Sequence, residues 1–344
     1  MTDSTKATFL SKLSKISDTI LANEINFADL STSLTEMKSL FMKASEIDVE
    51  SPEYIEDIHL TTGKAIGPHW AGLCVDDLLR TKRFSKGAFQ AIEEMRKRKE
   101  GKPVTLLYVG PGPFATLVLP LLTKFKPEEL QLVLVEVNPV TVAALKNTIR
   151  NFGVEDYIKE IIMGDASQLQ LENASEIDIL LLECLQFALV KEQQVAITYN
   201  LVPQLRKDAI LVPEEIKLSI GVIDSVKKMA YMTHPDDSVE ADFYKDINTV
   251  FVLSKEAIWN HVSNSKTLDF PEIETTILEE DKNNFTSVVI STDICVHSNQ
   301  KLLKDECSLT MSFKLIDTNK LGELTTVKSK YEVNEKPGLK IEWT

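Results

Sequence analysis

Four acidic residues of the chain stand directly after predicted strands or in the loop that follows one. Glu136 ends the second predicted strand, Asp165 follows the third and Glu183 ends the fourth. Glu192 comes nine residues after Glu183, across a loop that is mostly uncharged. In an open α/β sheet, ligands bind outside the carboxyl ends of the strands, so these side chains are expected to line one site.

The pair Glu183 and Glu192 could hold a planar cation between two carboxylates. A guanidinium presents a fork of donors that matches carboxylates bidentately, and the mostly apolar loop between the acids would exclude water from them. Such a pair could orient one nitrogen of an arginine toward a methyl group, and holding the two in line supplies much of the reduction in barrier. Taken alone, Glu192 is equally well explained as a solvated acid at the start of a helix, where the helix dipole favours it.

The elements that would position these acids begin with a buried strand and a glycine turn. Val104–Val109 is a short apolar run, typical of a parallel strand that is covered on both faces. Gly110 and Gly112 then allow a tight turn whose backbone can approach a ligand, and a helix is expected from Leu117. Glu136, at the tip of the next strand, could accept both hydroxyls of a ribose. The stretch therefore predicts a nucleoside-binding domain.

The residues of the turn indicate which nucleoside it would bind. The dinucleotide fingerprint has a third glycine, and Ala115 takes that place here, which a small residue can do. Pro111 and Pro113 stiffen the turn and remove amide donors that a pyrophosphate needs. A cofactor without phosphates is favoured, with S-adenosylmethionine as the leading candidate and NAD(P) as the alternative, and a turn without a ligand stays open. Asp165 could contact the amino group of the adenine.

The order of predicted elements divides the chain into three segments. Residues 1–68 have apolar side chains at helical spacing and are expected to form a helical segment. Residues 69–212 alternate strand and helix in the manner of a doubly wound α/β sheet, and they form the predicted cofactor-binding domain. Residues 213–344 contain β-branched runs and are predicted to form an antiparallel β domain, with a mixed or helical insertion at 225–262.

Composition limits the classes of function that remain. The 344 residues carry a net charge of −14, which argues against general nucleic-acid binding and is compatible with a cationic substrate. The longest apolar run is too short for a membrane span, so no membrane partner is expected. The four cysteines form no C-x-x-C pair and the histidines are scattered, so we expect reduced thiols, a cytoplasmic protein and no metal site.

Four motifs of the chain occur in the order that the protein arginine methyltransferase family has them. They are a pre-sheet helix motif at Asp76–Phe84, a glycine turn at Val109–Phe114, an acid-ended strand at Val135–Pro139 and a double-acid loop at Glu183–Glu192. No single motif is specific, but the ordered set is stronger than its parts. Residues 70–215 therefore resemble this family of class I S-adenosylmethionine-dependent methyltransferases.

The resemblance implies how the cofactor would be held. Arg80 matches the arginine that meets the methionyl carboxylate in the family. Gly110 and Gly112 match the cofactor turn, in its G-x-G-P form, and Glu136 matches the acid that binds the ribose.

The resemblance also implies an acceptor and a possible partner. Glu183 and Glu192 match the two glutamates that orient the substrate arginine, so the implied acceptor is a peptide or protein. The insertion at 225–262 would be a dimerisation arm, which implies a possible homodimer, although it could equally be a lid.

The sequence departs from the family at two places near the acceptor. The double-acid loop has Gln186 where the family has a glycine, and the C-terminal segment has no T-H-W sequence, which in the family helps to close the arginine pocket. The acceptor could instead be another nitrogen, oxygen or sulfur on a modified peptide or small metabolite. An NAD(P) oxidoreductase and a non-catalytic scaffold are the alternatives outside methyl transfer.

Overall fold

A computed structural model describes residues 3–48, 51–233, 243–265 and 267–344. The α-helices are α1 (Asp3–Leu21), α2 (Phe27–Ser45), α3 (Pro68–Leu73), α4 (Leu78–Lys99), α5 (Pro139–Phe152), α6 (Gln194–Leu201), α7 (Ser225–Thr233), α8 (Lys255–Asn264) and α9 (Glu279–Asn284). The strands are β1 (Ile58–Leu60), β2 (Gly63–Ala65), β3 (Val104–Val109), β4 (Leu130–Glu136), β5 (Ile158–Met163), β6 (Ile179–Leu182), β7 (Ile210–Val212), β8 (Glu215–Ile223), β9 (Tyr244–Ser254), β10 (Ile273–Thr276), β11 (Ser287–His297), β12 (Gln300–Leu302), β13 (Phe313–Asp317), β14 (Thr326–Glu332) and β15 (Gly338–Trp343).

The central sheet is parallel and has the strand order β5-β4-β3-β6-β7. All six residues of β3 are buried, as expected for a strand covered on both faces. The chain builds outward from β3 to β5 and then returns to the other side of β3 with β6. Strand order therefore reverses between β3 and β6, which is the switch point where ligands bind in such sheets. The predicted doubly wound α/β sheet is confirmed.

The helix that we predicted from Leu117 is wrong. The chain after the glycine turn instead forms a series of turns and then a 3-10 helix over Leu119–Lys124. Pro120 explains the difference, because it has no N–H to donate and its ring clashes with the carbonyl four residues earlier in an α-helix. The apolar residues of this segment are nevertheless buried, and the segment packs against α1.

The C-terminal part of the chain forms two antiparallel sheets. One has the order β12-β11-β8-β9 with β13 also paired to β11, and the other has the order β10-β14-β15. The antiparallel β domain is thus confirmed, but the predicted insertion at 225–262 needs correction. Its residues 244–254 form β9, which pairs along β8 as part of the main sheet. The helices α7 and α8 flank this strand, and residues 234–242 lie outside the described residues.

The N-terminal helices pack on the domain that carries the parallel sheet. α1 contacts the 3-10 helix and α4, and α2 contacts α5. The buried Lys82 of α4 donates hydrogen bonds to the carbonyls of Thr19, Ile20 and Ala22 at the C-terminal end of α1, at 3.3, 2.9 and 2.8 Å. These carbonyls have no partner within their own helix, so the lysine both caps α1 and fixes it to α4.

No helix in the described part of the chain combines the length and apolar character needed to cross a membrane.

Candidate active site

The glycine turn after β3 is shaped by close contact with the end of β6. Gly110 has a φ of 70°, and a Cβ atom at this position would lie 2.4 Å from the Sγ atom of Cys184. Gly112 has a φ of 61°, so both glycines adopt the left-handed conformation that other residues disfavour. Glycine is needed at both positions because the backbone turns sharply at the switch point, and at position 110 it also leaves room for Cys184.

Glu136 lies at the tip of β4, where the sequence placed it, and it is held in a fixed orientation. Its Oε1 atom accepts hydrogen bonds from the amides of Val137 and Asn138, at 2.9 and 3.0 Å. The side chain is 8% exposed, and burial raises its pKa despite these hydrogen bonds. Because both bonds converge on one oxygen, the carboxylate is presented to the cleft in a fixed orientation.

Asp165 has a different environment from the other predicted site residues. Its neighbours Gly164 and Ala166 line the cleft, whereas its own Oδ1 atom accepts hydrogen bonds from the amide of Ser167, at 2.9 Å, and from Nε2 of Gln193, at 3.3 Å. The carboxylate thus holds the end of β5 against the residue that follows Glu192.

Arg80 lies in the first turn of α4, whose N-cap is Asp77. Its guanidinium forms an ion pair with Oε1 of Glu183 across the cleft, and both side chains are nearly buried. Burial alone would lower the pKa of Arg80, but the nearby negative charges, chiefly that of Glu183 and also those of Glu192 and Asp77, together outweigh burial and the pKa is raised. Arg80 therefore stays charged, and it connects the predicted cofactor end of the cleft to the predicted acceptor end.

The two glutamates of the double-acid loop face the same cleft; Glu192 is buried and Glu183 is nearly so. Burial raises the pKa of Glu183, against the attraction of Arg80. Burial also raises the pKa of Glu192 to about 7, and the negative charge of Glu183 adds to this effect. Arg80 and a hydrogen bond from Gln186 oppose the rise. The site thus has two coupled carboxylates and one fixed cation, and it is suited to bind a second cation.

The C-terminal sheets hold the double-acid loop in place. Leu189 accepts a hydrogen bond through its carbonyl from the hydroxyl of Tyr331, at 2.6 Å, and the amide of Ala188 donates to Oγ1 of Thr292, at 2.9 Å. The amide of Lys191 donates to the carbonyl of Pro337, at 3.1 Å. Ala188, Leu189 and Lys191 have positive φ values, so the loop has an unfavourable backbone conformation that these contacts must maintain.

The hairpin of β1 and β2 is a part of the site that the sequence did not reveal. We expected a helical segment over residues 1–68, but residues 58–65 form this hairpin, and the amide of Lys64 donates to the carbonyl of Lys191, at 2.9 Å, beside Glu192. Strands of three residues carry too little periodicity to be recognised. One indication of this turn was present in the sequence, the glycine at position 63. The structure explains it, because the φ of 136° and the close approach to Lys191 leave no room for a side chain.

These elements enclose one cleft of about 910 Å³, counting the open space at its mouth. Of the predicted site residues, six line it and Asp165 does not; the six are Arg80, Gly110, Gly112, Glu136, Glu183 and Glu192. The thiol of Cys184 also lines the cleft, and burial raises its pKa well above the usual range, so it remains a neutral, unreactive group at neutral pH.

The comparison with known proteins identifies the fold. No protein-family model and no curated protein sequence matches the chain. A crystal structure of PRMT6 is similar with a TM-score of 0.50 at 8% identity, over 75% of this chain and 95% of that chain. The crystal structure of PRMT6 with SAH gives a TM-score of 0.49 at 9% identity, over 76% of this chain and 96% of that chain. The Trypanosoma brucei PRMT1 enzyme-prozyme heterotetrameric complex with AdoHcy gives 0.47 at 14% identity, over 78% and 90%. This chain therefore has a fold like that of the protein arginine methyltransferase PRMT6, as its motifs implied.

Proposed function

We propose that the chain is an S-adenosylmethionine-dependent methyltransferase whose acceptor is an arginine side chain of a peptide or protein. The observation that carries the proposal is the pair of buried carboxylates, Glu183 and Glu192, in the same cleft as the glycine turn and Glu136. A cleft with a nucleoside-binding end and a cation-binding end fits this reaction.

The residues of the cleft fit the proposed cofactor. Glu136 would accept the ribose hydroxyls, and Gly110 and Gly112 would let the backbone approach the ligand. Arg80 would bind the methionyl carboxylate, since a guanidinium has five N–H donors and its ion pair with Glu183 leaves others free. Asp165 does not line the cleft, and its two carboxylate oxygens accept hydrogen bonds from Ser167, Gln193 and Gln168, so it would hold the end of β5 beside the adenine. The cofactor, when bound, supplies a methyl group on a sulfonium.

Glu183 and Glu192 would act by orientation and charge. Two carboxylates that face one guanidinium localise its positive charge away from the nitrogen that attacks, which keeps electron density on that nitrogen. The incoming cation would in turn favour the ionised form of Glu192, whose pKa is raised to about 7 by burial and by Glu183. Both carboxylates have little exposure to solvent, so their interactions would operate in a medium of low dielectric constant.

The cofactor assignment is tested by the thermal stability of the protein with and without S-adenosylhomocysteine. A ligand that binds the native state alone at 100 times its Kd stabilises it by about 2.7 kcal/mol, so the Tm should rise by several degrees. NADH at the same concentration should leave Tm unchanged. Glu136→Gln should weaken the effect of S-adenosylhomocysteine, whereas the exposed Glu160→Gln should not. Stabilisation by NADH and not by S-adenosylhomocysteine would favour an oxidoreductase.

The acceptor assignment is tested by methyl incorporation into an arginine-containing peptide library. Glu192→Gln should abolish nearly all turnover with a guanidinium acceptor, because one of the two charges that bind it is lost. The absence of a T-H-W sequence and the presence of Gln186 favour a second possibility, a neutral acceptor. In that case Glu192→Gln would retain much of its turnover, and the peptides would not be methylated on arginine.

Two further assignments are proposals of the same kind. We propose a homodimer, supported by α7, on which Val226, Met229 and Met232 are largely exposed. Light scattering should give twice the mass of the chain, and charged substitutions at these three residues should give the mass of a single chain.

A cytoplasmic location is supported by the four cysteines, which are all free thiols in the described structure, and fluorescence of a tagged chain would test it.

A further inference from the structure

The turn of the β1–β2 hairpin lies directly against the backbone that precedes Glu192. The amide of Lys64 donates to the carbonyl of Lys191, and a Cβ atom on Gly63 would lie 2.8 Å from that same carbonyl oxygen. At its other end the hairpin is fixed by Asp57, which forms an ion pair with Lys64 and accepts a hydrogen bond from the amide of Gly67. The hairpin is therefore an anchored support and not a loose link.

A second connection runs through the side chain of Gln193. Its Nε2 atom donates to Oγ1 of Thr62, at 2.6 Å, and lies 3.3 Å from Oδ1 of Asp165 and 3.4 Å from Oγ of Ser167. The side chain is 4% exposed, so these partners are not readily replaced by water. The Gln193 amide thus joins three separate elements: the hairpin, the end of β5 and the double-acid loop.

The position of Glu192 depends on such supports. Lys191, directly before it, has a φ of 67°, and the amide of Glu192 closes a tight turn onto the carbonyl of Val190, at 2.8 Å. A loop with this backbone has no regular hydrogen bonding of its own to fix a side chain. A misplacement of about 1 Å in an active site can cost about 100-fold in rate, so contacts on both sides of Glu192 matter.

We propose that Thr62 and Gln193 are positioning residues that fix the carboxylate of Glu192 toward the acceptor, an inference that rests on the proposed function of Glu192. Neither residue touches the acceptor in this proposal; each acts through the backbone of the double-acid loop. In the hydrogen bond between them, Nε2 of Gln193 donates to the hydroxyl oxygen of Thr62, and Asp165 orients the side-chain amide of Gln193.

The test compares Thr62→Val with Thr62→Ser. Valine has nearly the shape of threonine without the hydroxyl, whereas serine keeps it. Thr61→Val is the matched control, because Thr61 is the exposed neighbour in the same turn. The measurements are amide hydrogen exchange over residues 188–193, affinity for S-adenosylhomocysteine, and kcat and KM for methyl transfer to peptide.

Thr62→Val removes the partly buried hydrogen bond from Gln193 and the one that the Thr62 hydroxyl donates to Ser167, so exchange of the loop amides should become about fivefold faster or more. The kcat should fall by about 10- to 100-fold, while the affinity for S-adenosylhomocysteine stays within about twofold of the wild type. Thr62→Ser should restore both, and Thr61→Val should change neither. Gln193→Leu should reproduce the effects of Thr62→Val on loop exchange and on kcat.

The outcomes separate this inference from the proposed function. Unchanged loop exchange in both Thr62→Val and Gln193→Leu would overturn the inference, and so would faster exchange with an unchanged kcat. An equal loss of cofactor affinity and kcat would also overturn it, because it would indicate general disruption. If the wild type methylates no acceptor, the proposed function fails, and loop exchange alone then decides whether the two residues hold Glu192.

Discussion

Glu192 is the residue whose chemistry depends most on its surroundings. Burial and the charge of Glu183 raise its pKa from the ordinary value of 4.5 to about 7, against Arg80. The same side chain in solvent would be fully ionised at neutral pH. In this cleft, near neutral pH, both the protonated and the ionised form of the carboxyl are populated until a cation binds. The folded, ligand-free protein therefore binds this proton more tightly than the unfolded chain does.

This tuning predicts a pH-dependent difference between the wild type and Glu192→Gln. Because the pKa is raised on folding, the contribution of Glu192 to stability is full below pH 4.5 and is lost as pH rises through about 7. The full loss is about 3 kcal/mol as an upper limit. In urea unfolding of the ligand-free protein, the free energy of unfolding of Glu192→Gln should therefore rise relative to that of the wild type between pH 5 and pH 8. A difference between the two proteins that is independent of pH would contradict the prediction.

Gly110 and Cys184 make a second prediction at the scale of single residues. Gly110→Ala places a methyl group 2.4 Å from Sγ of Cys184 and keeps the left-handed backbone. Overpacking of this kind costs about 1–3 kcal/mol, and the left-handed conformation about 1 kcal/mol more. Cys184→Ala removes the sulfur atom. In the double variant the overpacking is therefore relieved, and only the cost of the left-handed backbone at residue 110 remains. Urea unfolding of the single and double variants should give a coupling of about 1–3 kcal/mol, whereas additive effects would contradict the contact.

Elements differ in how far the sequence could predict them. The strands β3 and β4 follow from apolar runs with clear boundaries, and α5 follows from its periodicity and from Asn138 before Pro139. The helix predicted from Leu117 failed because burial and helix formation are separate properties. An apolar run signals the first, and Pro120 prevents the second.

The remaining elements could not be predicted because their stability comes from contacts distant in the chain. β9 reads as an aromatic-rich segment of mixed character until it is paired along β8. The β1–β2 hairpin has three residues in each strand, and the double-acid loop beside it stabilises it. In the site, the sequence indicated the acids and glycines, since their chemistry is local. It could not indicate Thr62 or Gln193, which have a role only in the folded molecule.

The contact between the C-terminal sheets and the double-acid loop gives a prediction at the scale of elements. Tyr331 is buried, and its hydroxyl donates to the carbonyl of Leu189. Tyr331→Phe should lower the free energy of unfolding by about 1 kcal/mol, because the carbonyl of Leu189 loses its hydrogen-bond partner. Since that carbonyl belongs to the double-acid loop, kcat should fall more than cofactor affinity. The matched control is Tyr199→Phe, in the same aromatic cluster, whose hydroxyl donates to no described residue of the loop. Equal effects of the two variants on kcat would refute the role of Tyr331.

The whole molecule has a continuous core, although its sequence suggests three segments. Buried apolar residues of α1 and α2, of the parallel sheet and of the C-terminal sheets belong to one packed cluster. The predicted boundaries after residues 68 and 212 therefore divide the chain by element type. They do not mark gaps in the core, and we expect the segments to unfold together.

Lys82 provides the test of this cooperativity. Lys82→Met keeps most of the side-chain length but removes the ammonium that donates to three carbonyls at the end of α1. Buried groups that lose a partner cost about 1–3 kcal/mol each, so the variant should be clearly destabilised, whereas Lys97→Met, at an exposed position of the same helix, should not. Urea unfolding followed by circular dichroism and by S-adenosylhomocysteine binding should give coincident transitions that shift together. If α1 and α2 unfolded at low urea while ligand binding persisted, the N-terminal helices would be an independent unit, because their loss would leave the cleft intact.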